Sequence, residues 1–334
     1  MNSCILVFGM PRSGTTWIGK LFDSHPGTLY RHEPDSFRPL SLPLFPEKES
    51  ASHYRYELDR FVASLPRMRS PEVVGKQPLF PKSYQSAAAL AFYRISVLAA
   101  KAASRARRHS PCVYRPTGEG SPQARLVWKS IESSGRLGVC IEALPETRAI
   151  HLLRHPCGYV ASVLRGVAAH RFSDGASSTD NMWLLERLLA TSTGQTHGLN
   201  VDDLKRLSLE ERLAWCWVLT HEKILADVAG SARVLTVRYE DVCAEPLAMT
   251  RRMFDFAGLD WSAQTASFID ASTAAADAGY YSVFKRPQAA AQRWRSELAP
   301  PVIDRILRIL RGTPLSRYYD EGVTSPQSCA QAAT

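Results

Sequence analysis

The stretch that most restricts the fold lies at the start of the chain, where an apolar run is followed by small residues and then by a helical pattern. Residues 5–8 are all apolar, which predicts a strand buried on both faces. Gly9 ends the run, and apolar side chains then recur at helical spacing: Trp17, Ile18, Leu21 and Phe22. Backbone N–H groups and the helix dipole favour negative charge at such a junction. The chain therefore begins with a predicted anion-binding unit.

The glycines of this junction are spaced as in a phosphate-binding loop. Gly9 and Gly14 match the two glycines of that motif. The lysine that contacts phosphates there is replaced by Thr15, and the cation is Arg12, inside the loop. An ordinary glycine-containing turn is the alternative, and the two glycines alone do not decide between them. The whole string of residues 11–17, Pro-Arg-Ser-Gly-Thr-Thr-Trp, favours phosphate binding, with amides and hydroxyls holding the anion.

Residues 11–17 resemble the 5′-phosphosulfate loop of sulfotransferases that use 3′-phosphoadenosine 5′-phosphosulfate (PAPS). In motif spacing the chain is most similar to the tyrosylprotein and carbohydrate types. The resemblance implies a three-layer α/β/α fold of the P-loop nucleotide-binding type, with a central parallel sheet and a helical insertion. It also implies PAPS as co-substrate, no metal, and cofactor contacts from the loop: Arg12, Ser13, Gly14, Thr15, Thr16 and Trp17.

A candidate base follows the next predicted strand, residues 28–32. Glu33 is expected at the carboxyl edge of the sheet, where ligands bind in open α/β folds. A surface acid before Pro34 is the alternative. Residues 12–26 are similar to the segment of tyrosylprotein sulfotransferases that precedes their catalytic glutamate, so the resemblance implies that Glu33 is the base. His32 is the runner-up, since cytosolic sulfotransferases use a histidine.

A second cation follows another short predicted strand, residues 126–128. Lys129 by itself would be expected on the solvated surface. The family has a lysine after a strand here that contacts the transferring sulfuryl group. The resemblance therefore implies that Lys129 and Arg12 act with Glu33 in catalysis.

Residues 149–153 predict another buried strand, which ends in Arg154. In nucleoside-triphosphate enzymes such a strand often ends in a magnesium-binding aspartate, whereas an arginine binds phosphate without a metal. The family holds the 3′-phosphate with an arginine and a later serine, and Arg154 and Ser162 keep that spacing. A structural arginine and a helix serine are the weaker alternative. His155 replaces the usual aspartate, and Gly166 stands where the tyrosylprotein branch has a further arginine.

Two later segments complete the resemblance. A predicted strand over residues 234–237 precedes Arg-Tyr-Glu-Asp, which is similar to a family element whose tyrosine, here Tyr239, lies near the cofactor. Residues 280–285 and 292–295 resemble the segment that closes over the adenosine and phosphates. Lys285 and Arg293 are the candidate contacts there.

The acceptor side is predicted in residues 37–125, where prolines separate short pieces from one long helix, residues 83–108. Its basic side chains share a narrow arc: Arg94, Lys101, Arg105 and Arg108. We favour a solvated stripe on a core-packed helix; a basic amphipathic helix on an anionic membrane or acceptor is the alternative. Residues 170–206, with Gly, Ser and Thr clusters, predict a mobile acceptor-side loop.

Length and charge fit one enzyme domain. The 334 residues predict a single domain over residues 1–322 and a disordered tail over residues 323–334. The net charge of +9 suits an anionic ligand or surface, but no basic run is long enough for a nucleic-acid arm. The seven cysteines form no C-x-x-C pair, and we expect a cytoplasmic, bacterial protein without a secretory signal or membrane anchor.

The predicted reaction moves a sulfuryl group from PAPS to a hydroxyl acceptor: a saccharide, a lipid, a small molecule or a tyrosyl side chain. A P-loop kinase is the first alternative. It requires a loop lysine and a magnesium aspartate, and the corresponding residues are Thr15 and Arg154. A non-catalytic protein that keeps the nucleotide pocket is the second alternative.

Overall fold

The computed structural model describes residues 4–105, 113, 124–169, 182–274 and 287–319. Parallel strands form its centre: β1 (Cys4–Gly9), β2 (Thr28–His32), β3 (Arg125–Ser130), β4 (Arg148–Leu153) and β5 (Val234–Arg238). They pair in the order β2-β3-β1-β4-β5 in a five-stranded sheet. The strands predicted from the apolar runs are therefore confirmed.

Helices surround this sheet. Up to β4 they are α1 (Thr15–Ser24), α2 (Pro34–Phe37), α3 (Ala51–Ser64), α4 (Pro71–Val74), α5 (Ala87–Arg105) and α6 (Leu137–Ala143). After β4 they are α7 (Pro156–Ala168), α8 (Met182–Leu189), α9 (Ser192–Gln195), α10 (Val201–Lys205), α11 (Leu209–Asp227), α12 (Tyr239–Ala244), α13 (Pro246–Ala257), α14 (Ala263–Ala274), α15 (Pro287–Gln292), α16 (Trp294–Glu297) and α17 (Pro300–Arg311). Short 3-10 turns lie at Lys48–Ser50, Leu65–Arg67, Ser134–Arg136 and Pro314–Tyr318.

Successive residues of β1 point to opposite faces of the sheet, and each face has its own apolar cluster. Leu6 and Phe8 pack with residues of α3 and α6, whereas Ile5 and Val7 pack with Ile18 and other residues of α1, α13 and α14. A strand that is apolar on both faces needs cover on both sides. The chain therefore has the predicted three-layer α/β/α fold of the P-loop type, with a helical insertion between β2 and β3.

The parallel register brings the carboxyl ends of the strands to one edge of the sheet. Gly9 is paired with Leu152, and His32 is paired with Lys129. Ligands bind at this edge in open α/β sheets. The predicted site residues that follow strands, and so share the edge, are the loop of residues 10–14, Glu33, Arg154 and Tyr239.

The prediction of a loop over residues 170–206 is wrong for its described part, residues 182–206. Helices α8, α9 and α10 lie there. Side chains of Thr191 and Asn200 accept backbone N–H bonds at the starts of α9 and α10, so some polar residues of this stretch are helix caps rather than loop residues. The leucines that these helices bury in the cluster around α11 are Leu185, Leu188 and Leu204. Residues 170–181 lie outside the described residues.

The long helix of the insertion is real, but its predicted orientation is wrong. α5 begins at Ala87 rather than residue 83, because Ser86 lies before it and accepts a bond from the backbone N–H of Ala89 at 3.2 Å. Two of the basic side chains at the border of the exposed face also bond the domain: Arg94, which is exposed, donates to the carbonyl of Leu79 at 3.0 Å, and half-buried Lys101 donates to that of Gly75 at 2.6 Å.

The face of α5 that meets solvent is the apolar one. Phe92, Ile95 and Leu98 are 64%, 63% and 63% exposed. The opposite face buries Val97 and Ala100 in a small cluster with α4. In the described part of the chain, one stretch, Ala87–Ser104, is long and apolar enough to cross a bilayer, and 22% of it is buried.

Candidate active site

The loop after β1 is shaped for an anion. Gly14 precedes α1 with φ +96°, and a Cβ placed there would lie 2.5 Å from the ring of Tyr239, so only glycine fits. Ser13 turns inward and donates to the carbonyl of Met10 at 2.6 Å. Within the described residues no side chain caps α1, and its first turn has no acid. The first N–H groups of α1, from Thr15 and half-buried Thr16, are therefore available to a bound anion.

The loops after β1 and β4 are bonded to each other. Arg154 Nη1 donates to the carbonyl of Arg12 at 2.6 Å, and Arg12 Nε donates to Ser162 Oγ at 3.2 Å. Residues that the resemblance assigns to opposite ends of the cofactor thus meet in one site. We call residues 10–14, the loop after β1, and residues 154–162, which follow β4 and include the first turns of α7, the anion loops.

Arg154 is the central cation of the anion loops. Its guanidinium lies over the Tyr239 ring, 5.1 Å from the centroid, and Trp217 Nε1 donates to its carbonyl at 3.0 Å. Its Nε is buried and has no hydrogen-bond partner among the described residues. A buried donor of a charged group without a partner is costly, and a bound phosphate oxygen would satisfy it. The residues present therefore fit an anionic cofactor.

Tyr239 and Trp17 lie together beside the loop. Their rings meet edge to face, with centroids 6.3 Å apart, and Trp17 Nε1 donates to Ser272 Oγ at 3.2 Å. Burial raises the pKa of the Tyr239 hydroxyl, so that it stays protonated. Both predicted contacts thus lie at the anion loops.

Glu33 and Lys129 form an ion pair at the adjoining ends of β2 and β3. Glu33 adopts a left-handed conformation with φ +46°, its N–H donates to the carbonyl of Lys129 at 2.8 Å, and its carboxylate contacts Lys129 Nζ. The Glu33 side chain is 25% exposed, whereas that of Lys129 is buried. Burial lowers the pKa of Lys129, and the charge of Glu33 opposes that shift. A strained non-glycine conformation at such a position is typical of functional sites.

His32 lies beside this pair but is engaged elsewhere. Its Nδ1 lies 2.8 Å from the Tyr30 hydroxyl, and its Nε2 lies 3.8 Å from the Glu33 carboxylate. Burial, together with the charge of Lys129, lowers the pKa of His32 well below its ordinary value. The imidazole is therefore neutral at neutral pH.

Sequence reasoning missed a buried carboxylate that holds the Lys129 strand end. Asp35 accepts hydrogen bonds from Trp128 Nε1 at 3.2 Å, from Ser133 Oγ at 2.6 Å and from Ser130 Oγ. Trp128 and Ser130 flank Lys129, so Asp35 fixes both neighbours of that lysine. Its position two residues after Glu33 was the only sequence signal, because a buried aspartate and a turn aspartate look alike in sequence.

Two further residues near the site were missed. Glu240 accepts the backbone N–H of His155 at 3.0 Å and so fixes the turn that carries Arg154; burial raises the pKa of Glu240. Its place next to Tyr239 in the Arg-Tyr-Glu-Asp string was a usable signal. Lys76 lies close enough to Glu33 for that charge to oppose the lowering of the Lys76 pKa by burial.

The structure tests only part of the predicted C-terminal segment, residues 280–285 and 292–295. α15 reaches the anion loops, since Arg154 Nη2 lies 3.3 Å from the carbonyl of Ala290. Arg293, however, is 59% exposed and pairs with Glu297 at 2.8 Å. Arg165 also donates two hydrogen bonds to the Glu297 carboxylate. Lys285 lies outside the described residues.

Metal ligands do not assemble in the described part of the chain: it contains no group of three or more His, Cys, Asp or Glu side chains placed to hold an ion. The groups at the carboxyl edge that can bind a ligand are backbone amides, hydroxyls, guanidiniums and an ammonium group. Such donors recognise phosphate and sulfate esters.

Known proteins were compared with this chain. Residues 4–263 match a family model described as "Sulfotransferase family". No curated protein matches. Similar solved structures include the sulfotransferase domain from the curacin biosynthetic pathway, at 15% identity and a TM-score of 0.44 over 93% of this chain and 97% of that one. STF9 from Mycobacterium avium has 14% identity and a TM-score of 0.41, covering 94% and 77%. Mouse SULT7A1, complexed with PAP, has 13% identity and a TM-score of 0.43, covering 96% and 88%.

The structural likenesses are too distant to assign an activity. The family model, in contrast, matches most of the chain, including both anion loops and the strand ends that carry Glu33, Lys129 and Tyr239. The chain belongs to the sulfotransferase family.

Proposed function

We propose that the protein transfers a sulfuryl group from PAPS to a hydroxyl acceptor. One observation carries the proposal most: Arg154 bonds the loop of Arg12, Arg12 bonds Ser162, and the buried Arg154 Nε has no partner among the described residues. Cations that are fixed next to each other after two neighbouring strands suit a ligand with two anionic groups. PAPS is such a ligand.

In this proposal the anion loops hold the two ends of the co-substrate. The amides at the start of α1, with the hydroxyls of Thr15 and Thr16, face the 5′-phosphosulfate, and Arg12 supplies charge. Arg154 and Ser162 face the 3′-phosphate. The Arg154 guanidinium over the Tyr239 ring is already oriented, so less conformational freedom is lost when phosphate binds.

The reaction is an in-line displacement that resembles phosphoryl transfer. The acceptor oxygen forms a bond to sulfur, the bond from sulfur to the bridging phosphate oxygen breaks, and the acceptor proton moves to the Glu33 carboxylate. Lys129, held beside Glu33, stabilises the charge that develops on the sulfuryl and bridging oxygens. Burial lowers the pKa of Lys129, and its carboxylate partner opposes that shift.

The hydrogen bonding of His32 supports Glu33 as the base. Burial raises the pKa of the Tyr30 hydroxyl, so it stays protonated and can donate to His32 Nδ1. A neutral imidazole that accepts at Nδ1 carries its own proton on Nε2. It then has no free lone pair for the acceptor proton, whereas the Glu33 carboxylate does.

The acceptor side of the proposal is residues 37–125, within a sulfotransferase domain over residues 1–322. Lys76, which acts electrostatically on Glu33, belongs to this part. The acceptor classes that fit are saccharides, lipids, small molecules and tyrosyl groups.

Two measurements test the proposal. Calorimetry with 3′,5′-bisphosphoadenosine should show stoichiometric binding that needs no divalent ion. The protein incubated with ³⁵S-PAPS and cell extract should transfer label to one of four fractions: lipid, saccharide, small phenolic or peptide. Absence of nucleotide binding, or binding without label transfer to any fraction, would contradict a sulfotransferase role; the second result would favour a non-catalytic protein.

A further inference from the structure

The solvent side of α5 is an unusual surface. Phe92, Ile95 and Leu98 are all more than half exposed, and they follow one another at helical spacing, so they form a single row. We call this row the α5 apolar face. The side chains around it on the helix are alanines that are also exposed: Ala88, Ala91, Ala99 and Ala102. Single exposed apolar residues are common, but a continuous row marks a surface that is covered by something else.

The segment of sequence that carries this face is basic. Residues 73–118 contain eight lysines and arginines and no aspartate or glutamate. Arg94 and Lys101 lie on the flank of the α5 apolar face. An apolar stripe flanked by basic residues is the pattern of helices that lie in the interface of an anionic membrane. The surface thus has the two features that anionic lipid recognises.

We propose that the α5 apolar face docks the protein on an anionic lipid surface, with α5 lying flat in the interface. A second copy of the chain is a poorer occupant, because two acid-free basic segments would face each other and repel. A spanning helix is also a poorer fit, since α5 is tied to the domain by Val97 and Ala100 and by the bonds of Arg94 and Lys101 to loop carbonyls.

Docking there would place the catalytic edge near the lipid. Lys101 bonds the carbonyl of Gly75, and the next residue, Lys76, acts electrostatically on Glu33. Lys101 and residues 75–76 therefore link α5 to the proposed base. On the basis of the proposed function, this arrangement favours an acceptor hydroxyl carried by an amphiphile at the membrane surface. The docking itself does not depend on sulfuryl transfer.

The test is vesicle co-sedimentation of the full chain. Vesicles of phosphatidylcholine with phosphatidylglycerol should pull down the protein, and vesicles of pure phosphatidylcholine should do so at least about tenfold less well. Ile95→Glu should lower binding to the anionic vesicles by at least about tenfold, because it places a carboxylate in the apolar row. Leu247→Glu is the matched control: Leu247 is also exposed on a helix, α13, and its change should leave binding as it was.

Several outcomes would overturn the proposal. These are no pull-down by either vesicle, equal effects of the two glutamate variants, or a dimer in sedimentation velocity that Ile95→Glu dissociates. A fall in thermal midpoint of several degrees with the milder Ile95→Ser would also overturn it, since it would mean that the chain itself covers this face. Calorimetry with bisphosphoadenosine on the same variants separates this result from the proposed function, because nucleotide binding should be unchanged.

Discussion

The anion loops and the insertion helices α4 and α5 are held in the domain very differently. The anion loops follow the central strands β1 and β4, whose side chains are buried on both faces. α4 and α5 share only a small separate cluster around Val73 and Val97. The comparison teaches that the anion loops are fixed by the main core, whereas α4 and α5 are attached to the domain by a small cluster and a few hydrogen bonds.

The largest expected effect tests whether Glu33, which belongs to neither region, is the catalytic base. Glu33→Gln should lower kcat by about a hundred- to ten-thousandfold, because the amide cannot take the acceptor proton. Affinity for bisphosphoadenosine should not change, since Glu33 is not in the anion loops. Steady-state kinetics with calorimetry measures both. If His32→Gln abolished turnover and Glu33→Gln did not, His32 would be the base.

The next effect tests the anion loops directly. Arg154→Ala should weaken bisphosphoadenosine binding about 10- to 100-fold, because it removes charge-assisted hydrogen bonds and frees the carbonyl of Arg12. Arg187→Ala is the control, since Arg187 lies on α8 and stacks on Trp183. Equal affinities of the two variants would place the 3′-phosphate elsewhere.

A smaller effect is expected at the carboxylate that positions Lys129. Asp35→Asn should lower kcat by about tenfold with little change in KM for PAPS, because Lys129 shifts while the anion loops stay in place. Asp202→Asn, at an exposed ion pair on α10, is the control. A change in KM alone would argue that Asp35 serves cofactor binding instead.

Acid should destabilise the folded protein through two histidines that are buried on and directly after β4. Burial lowers the pKa of His151 to about 3, and burial with three nearby arginines lowers that of His155 to about 3. Between that value and about 6.5, the unfolded chain binds protons that the folded chain cannot, so stability falls as pH falls. Each such histidine contributes about 1.4 kcal/mol per pH unit.

Urea unfolding at pH 7, 6 and 5 measures this dependence. His151→Gln should flatten the slope, and His53→Gln, at an exposed position on α3, should leave it as it is. A free energy of unfolding that did not change between pH 7 and pH 5 would contradict burial of these histidines as neutral groups.

The smallest effect is expected in the insertion. Arg94→Ala should lower the free energy of unfolding by about 1 kcal/mol, because it removes one partly exposed hydrogen bond to Leu79. Nucleotide affinity should be unchanged. A large loss of nucleotide binding would mean that the two regions are coupled more tightly than their packing indicates.

Several elements were predictable because their determinants are local. The all-apolar run before Gly9 is buried on both faces as β1, and Gly14 occupies a position in the loop where a side chain would strike Tyr239. The orientation of α5 was not predictable. Apolar periodicity shows that a helix has two faces, but which face meets the domain depends on what packs there.

The sequence by itself determined the strands, the glycine-bounded loop after β1 and the family, because these depend on short runs whose spacing is set by the backbone. Only the tertiary structure decided that Arg154 bonds Arg12, that Asp35 holds the strand end of Lys129, and that Ile95 meets solvent. Each of these contacts or exposures depends on residues far apart in the chain. The catalytic roles of Glu33 and Lys129 stay predictions that the variants above will test.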